Sequence, residues 1–143
     1  MLPIRETKPP RGKSVRKQDL EFEIKFFEGI ADRDPDYIEA LQILGDAYTK
    51  SGQWEKGLKI DQRLARLCPD NPLVFYNLAC SYSLLKRVDE AFVALREAVR
   101  HGYDDARWLT KDPDLANLRQ DHRFEKIRTD LTQKPNGSAH SAD

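Results

Sequence analysis

The chain has 143 residues, of which 39% are hydrophobic and 34% charged, and its 24 basic side chains equal its 24 acidic ones. This length predicts one domain with a thin core, and the balanced charge gives no global attraction to nucleic acid or anionic membranes. No stretch approaches the about 20 apolar residues that cross a bilayer. The two cysteines, Cys68 and Cys80, lack paired spacing, which is typical of a reduced cytoplasmic protein.

Residues 1–17 form a basic segment, with six basic side chains against Glu6 alone. Pro3, Pro9 and Pro10 favour an extended chain, so we expect a flexible, solvated arm. The alternative is a tether to nucleic acid or anionic lipid. No aromatic residue interleaves the basic ones, so stacking on bases has no support, and we expect neither nucleic acid nor membrane as a partner.

The predicted domain, residues 18–133, begins with a capping segment at residues 18–36. Leu20, Phe22, Ile24 and Phe26 alternate there, which fits a strand as well as a helix. The register relative to the rest of the chain favours a lone helix that covers the first repeat.

A 34-residue shift superposes two segments, which we define as repeat 1 (residues 38–71) and repeat 2 (residues 72–105). Each is predicted to hold two amphipathic helices joined by a turn. In repeat 1, Gly52 suits a left-handed position after the first helix, the second helix runs from about Trp54 to Leu67, and Pro69 prevents its continuation.

The run Leu41-x2-Leu44-Gly45-x2-Tyr48, with its counterpart Phe75-x2-Leu78-Ala79-x2-Tyr82, resembles the tetratricopeptide-repeat (TPR) consensus. The resemblance implies an all-α fold, a short right-handed superhelical solenoid of antiparallel helix pairs. The positions that carry the repeat are Leu44, Gly45, Tyr48, Pro69, Leu78, Ala79, Tyr82 and Ala91. Asp61 departs from the family pattern, which usually has a large apolar side chain there, and is interpreted as a partly exposed edge.

A third unit begins after Gly102 and fails, because Pro113 falls where Ala79 predicts a close helix contact. Residues 106–133 are therefore predicted to be a degenerate C-terminal cap, with a short helical turn followed by a helix from about His122 to Leu131. Terminal units of repeat arrays shield the last core layer from water. Residues 134–143 are predicted to be a disordered tail.

No pattern for catalysis or metal binding is found. The glycines are scattered, the three histidines have no second ligand at metal spacing, and Cys80 has no basic partner nearby in sequence. We expect no catalytic residue, no cofactor and no metal.

The TPR resemblance implies that the first helix of each repeat lines a concave groove that binds a protein or peptide. The groove residues would be Gln42, Asp46, Thr49, Leu73, Tyr76, Asn77, Cys80 and Ser83. Asp46 favours a neutral or basic ligand, and only Asn77 matches the residues with which family members grip acidic chaperone tails. The expected function is that of a non-enzymatic adapter or scaffold. The alternative is a structural subunit that self-associates, or docks onto an assembly, through its end caps.

Overall fold

A computed structural model describes residues 16–133, and these fold as α-helices and one 3-10 helix without a β-strand. Most of the predicted basic arm and the whole predicted tail lie outside the described residues. In chain order the helices are α1 (Lys17–Arg33), α2 (Ile38–Lys50), α3 (Trp54–Leu67), α4 (Pro72–Leu84), α5 (Val88–Arg100), α6 (Ala106–Lys111), the 3-10 helix (Pro113–Leu118) and α7 (His122–Gln133). The all-α fold class is confirmed.

The first five helices pack in sequence, each against the next, across short turns, as in α-α hairpins. In α1 the buried residues are Leu20, Ile24 and Ala31, which share one face of the helix and lie against α2. The alternating pattern of this segment is therefore resolved as a helix.

α2 and α3 approach closely because glycine stands at their contact. A Cβ atom on Gly45 would lie 3.2 Å from Ile60 Cγ2 and 3.2 Å from Asp61 Oδ1. On the facing side, a Cβ on Gly57 would lie 3.3 Å from Thr49 Oγ1. In α4 and α5 the matching positions are Ala79 and Ala91, both completely buried. Small residues thus mark the same helix crossing in both repeats.

The turns repeat as well. Gly52, after α2, has φ +82°, as predicted. Lys86 occupies the matching place after α4 with φ 60°, a left-handed conformation that is uncommon for a residue with a side chain. At the start of α4 the Asn71 side chain accepts hydrogen bonds from the backbone N–H groups of Leu73 and Val74.

A hydrogen bond between successive units recurs at the 34-residue period. The Tyr48 hydroxyl donates to Glu28 on α1, and the Gln62 amide on α3 donates to the Tyr82 hydroxyl at 3.1 Å. Positions 28 and 62 are related by one period, and so are positions 48 and 82. Each tyrosine therefore joins the first helix of its repeat to the second helix of the unit before it.

The interpretation of Asp61 as a partly exposed edge is wrong. Its side chain is 6% exposed, and one carboxylate oxygen accepts a hydrogen bond of 2.5 Å from the Ser81 hydroxyl. Because Ser81 lies on α4, the next helix along the chain, sequence position alone does not reveal this partner. The hydrogen bond makes burial of the carboxylate tolerable.

The C-terminal segment folds back over α4. Pro113 ends the third unit as predicted: α6 stops at Lys111, and the 3-10 helix begins with Asp112 as its N-cap. Leu115 and Leu118 are completely buried in the same cluster as α4 and α5. A second apolar cluster joins α1, α2 and α3, and Ala65 and Leu73 contact both clusters.

Arg123 on α7 connects the C-terminal cap to α5. Its guanidinium donates to Asp121 at 2.8 Å and to Asp89 at 3.0 Å, and it lies 4.5 Å from the centre of the buried Phe92 ring. The hydrogen bonds from Arg123 hold the pKa of Asp121 well below its usual range. The cap is thus held by a charged contact at its surface and by leucines beneath it.

Candidate binding surface

The α2 part of the predicted groove is accessible. Gln42, Asp46 and Thr49 follow one another at helical spacing, and all three are half-buried. Asp46 forms an ion pair with Lys50 at 3.0 Å, while the Thr49 hydroxyl donates to the Gly45 carbonyl. The Gln42 side-chain nitrogen is buried and has no hydrogen-bond partner among the described residues. This face therefore offers the Asp46 carboxylate, and the Gln42 amide lies beside it with its nitrogen buried.

On α4, Leu73 and Asn77 are half-buried and remain accessible. They add one apolar and one amide side chain on α4 to the accessible positions. We define the groove face as Gln42, Asp46, Thr49, Leu73 and Asn77.

The prediction that Tyr76, Cys80 and Ser83 also line the groove is wrong. Tyr76 and Ser83 are completely buried, and Cys80 is 2% exposed. The reason is the C-terminal segment, whose residues cover this face of α4. A partner therefore cannot reach these three side chains in the folded protein.

The covering contacts are specific. The Tyr76 ring stacks on Tyr103 with ring centres 4.4 Å apart, and its hydroxyl donates to Asp112 Oδ2 at 2.7 Å. Asn117 donates to the Ser83 carbonyl at 2.8 Å. Burial raises the pKa values of Tyr76 and Tyr103 above those of ordinary tyrosines, so both remain neutral. In the sequence, the Asp-Pro-Asp pattern at residues 112–114, directly after a helix, indicates the turn at which this covering segment begins.

Cys80, Asp112 and Asp114 bring a thiol and two carboxylates within 4.8 Å of one another, all buried. Such donors are able to bind a divalent cation. Here, however, Asp112 accepts hydrogen bonds from Tyr76 and Cys80 with one oxygen, and from the Asp114 backbone with the other. These hydrogen bonds attach the C-terminal segment to α4, which explains why the three side chains lie together. We assign no metal to the cluster.

An exposed aromatic surface lies on α1. Phe22 is 72% exposed and Phe26 is 54% exposed. Their rings stack with centres 6.2 Å apart, and Phe27 meets Phe26 edge-on at 5.0 Å. We call Phe22 and Phe26 the aromatic ridge. Exposed apolar side chains that adjoin one another commonly mark an interaction surface.

Comparison with known proteins finds sequence similarity to a plant protein. No protein-family model matches the chain. A chloroplastic protein from Arabidopsis thaliana is 31% identical over 116 residues, which cover 79% of this chain and 33% of that protein. The chain therefore spans about a third of the length of the relative that it matches. Within residues 16–133, no helix has both the length and the apolar character needed to cross a membrane.

Proposed function

We propose that the chain is a short TPR-like solenoid that binds a segment of another protein in the groove face and has no enzymatic activity. The observation that carries the proposal is this half-buried face of carboxylate and amide side chains on α2 and α4, two helices related by the 34-residue period. Amide side chains on such a face donate and accept hydrogen bonds with a peptide backbone.

The ligand proposed is an extended or helical segment without strong negative charge. Asp46 is the groove-face carboxylate, and it repels an acidic segment and attracts a basic one. Since Tyr76 is covered, the anchoring contacts fall to Gln42, Leu73 and Asn77. A cytoplasmic location is part of the proposal and is supported by the two cysteines, Cys68 and Cys80, whose spacing does not indicate a disulfide framework.

The test begins with affinity capture of partners by the full chain and their identification by mass spectrometry. A captured segment is then titrated against Asp46→Lys, Asn77→Ala and the parent protein. We expect Asn77→Ala to weaken binding by about tenfold or less, and Asp46→Lys to weaken a basic segment most. Lys59→Ala and Arg96→Ala are matched controls, because both side chains are exposed on α3 and α5, away from the groove face. If the controls lose binding while the groove variants keep it, the proposed face is wrong.

A second candidate function is a subunit that docks onto an assembly, or onto a second copy, through its ends. The observation that favours it is the exposed aromatic ridge of α1. Sedimentation over a range of protein concentrations distinguishes a self-associating subunit from a monomeric adapter.

A further inference from the structure

The 34-residue period identifies what kind of surface the aromatic ridge belongs to. Shifted by one period and by two, Phe26 matches Ile60 on α3 and Ala94 on α5, and both of these are buried. Ile60 lies against Gly45 of α2, the helix that precedes α3. Phe26 therefore occupies the position that, in α3, contacts the preceding helix.

The neighbours of Phe26 agree with this assignment. Glu23 matches Gly57, and Ile30 matches Leu64; both counterparts are buried, whereas Glu23 and Ile30 are half-buried. Among residues 16–133, no helix covers this side of α1, because α1 packs on α2 with the neighbouring side that carries Leu20, Ile24 and Ala31. The face of Glu23, Phe26 and Ile30, with Phe22 at its edge, is thus a helix-packing face that lacks its helix.

The preceding part of the chain does not supply the sequence for such a helix. The period places the missing helix at residues 4–16, which contain Pro9 and Pro10 near their middle. A proline inside a helix removes a backbone hydrogen bond and clashes with the preceding turn. The sequence of residues 4–16 therefore does not favour a helix that covers α1 as α2 covers α3.

The side-chain charges of α1 favour one kind of partner. α1 holds five carboxylates and three basic side chains, a net charge of −2. By helix geometry, Asp19 and Glu23 flank one side of the aromatic ridge, and Lys25, Asp32 and Glu21 lie along the other side. Arg33 continues the line of the ridge at the end of α1. Pairing α1 with α1 of a second copy would bring together two helices that are each net negative, whereas a basic helix meets a net opposite charge.

We propose that this face of α1 binds an amphipathic, basic α-helix of another protein, in the orientation in which α2 lies on α3. The partner's apolar stripe would cover Phe22 and Phe26, and its lysines and arginines would lie beside the flanking carboxylates. A small residue in that stripe would face Phe26, as Gly45 faces Ile60. This inference deepens the end-docking candidate and does not depend on the groove face.

The probes are two synthetic amphipathic peptides that share one leucine stripe with a central alanine. One carries lysine on its polar face, and its twin carries glutamate at the same positions. Each is titrated by fluorescence anisotropy into the full chain, into a variant with both Phe22→Ser and Phe26→Ser, and into Val93→Ser. Val93 is the matched control, because it is 56% exposed on α5. Circular dichroism confirms that each variant is folded.

We expect the lysine peptide to bind the parent at least tenfold more tightly than its glutamate twin. We expect the double variant to lose at least tenfold in affinity, while Val93→Ser and the groove variant Asn77→Ala bind as the parent does. Loss of binding in Asn77→Ala alone would place the peptide in the groove face and leave that proposal standing, while refuting this one.

Four further results would overturn the inference. They are equal affinity for the two peptides, undiminished binding by the double variant, and no binding of either peptide. The fourth is self-association of the parent that the double variant abolishes, which makes a second copy the occupant. If changing Arg5, Lys8, Arg11 and Lys13 to Gln raises the affinity for the lysine peptide tenfold, the chain's own basic segment is the occupant instead.

Discussion

At the scale of single residues, the buried polar side chains hold the units together. Asp61 joins α3 to Ser81 of α4, and Tyr76 joins α4 to Asp112 of the C-terminal segment. Each partner lies on a different element, far away along the chain. A buried polar group costs free energy unless it is hydrogen-bonded, so these pairs specify which helices meet.

Because the buried tyrosines are neutral, we expect the free energy of unfolding to fall at alkaline pH. Burial is the main cause that raises the pKa values of Tyr48, Tyr76 and Tyr103 above the ordinary 10.0. Because a raised pKa in the folded state means that the unfolded state loses its proton first, this contribution is complete below about pH 10 and is lost as the pH rises further. Ultraviolet absorbance of tyrosinate should show fewer than five ionised tyrosines until the helices unfold. Ionisation of all five while circular dichroism remains native would contradict the burial.

The Asp61–Ser81 hydrogen bond should be measurable by a double-mutant cycle. Asp61→Ala and Ser81→Ala each leave a buried polar partner behind, so each should lower the free energy of unfolding by about 1–3 kcal/mol. The double variant should lose less than the sum of the two, because the second change removes the stranded partner. The exposed pair of Arg87 and Glu90, 2.8 Å apart, is the control and should show weak coupling. Additive losses at Asp61 and Ser81 would contradict the interaction.

At the scale of helices, the closeness of each pair depends on small residues at the crossing. Gly45 and Gly57 allow α2 and α3 to approach, and Ala79 and Ala91 stand at the matching places of α4 and α5. Gly52 and Lys86 turn the chain between the two helices of each repeat. The 34-residue period is therefore visible in packing and in backbone conformation as well as in sequence.

Gly45 gives the test of this packing. Gly45→Leu should destabilise the protein by about 1–3 kcal/mol, because the side chain has to displace Ile60 and Asp61. Gly45→Ala should change stability by less than about 1 kcal/mol, since the gain in helix propensity offsets a tight contact of its Cβ. Thermal and denaturant unfolding measure both. A Gly45→Leu variant as stable as the parent would show that the helix crossing does not need a small residue.

At the scale of the whole molecule, the two ends of the helical array differ in how much apolar surface they expose. The C-terminal segment covers α4 with Leu115 and Leu118, whereas α1 leaves the aromatic ridge exposed. One end is closed by the chain itself, and the other presents a helix-packing face. This asymmetry underlies the proposed binding of a basic helix at α1.

Equivalent truncations at the two ends should therefore differ. Leu118→Ala removes a completely buried side chain and should cost about 2–5 kcal/mol of unfolding free energy. Phe22→Ala removes a larger side chain that is mostly exposed, and should stay within about 0.5 kcal/mol of the parent. Denaturant titration compares them directly. Equal losses would mean that α1 is covered in solution, by a second copy or by the chain's own residues.

The sequence by itself determined the helices, because apolar periodicity, glycine turns and proline stops act over a few residues. The helix predicted from about Trp54 to Leu67 and the break at Pro113 appear at those places. Only the tertiary structure decided which side chains of those helices reach the surface. Tyr76, Cys80 and Ser83 have the helical spacing expected of groove residues, yet residues 112–118 cover them. Gln42 and Asp46, which stand at the matching positions of α2, remain accessible. Burial depends on which distant segment of the chain packs against a face, and the local periodicity of a helix does not indicate that segment.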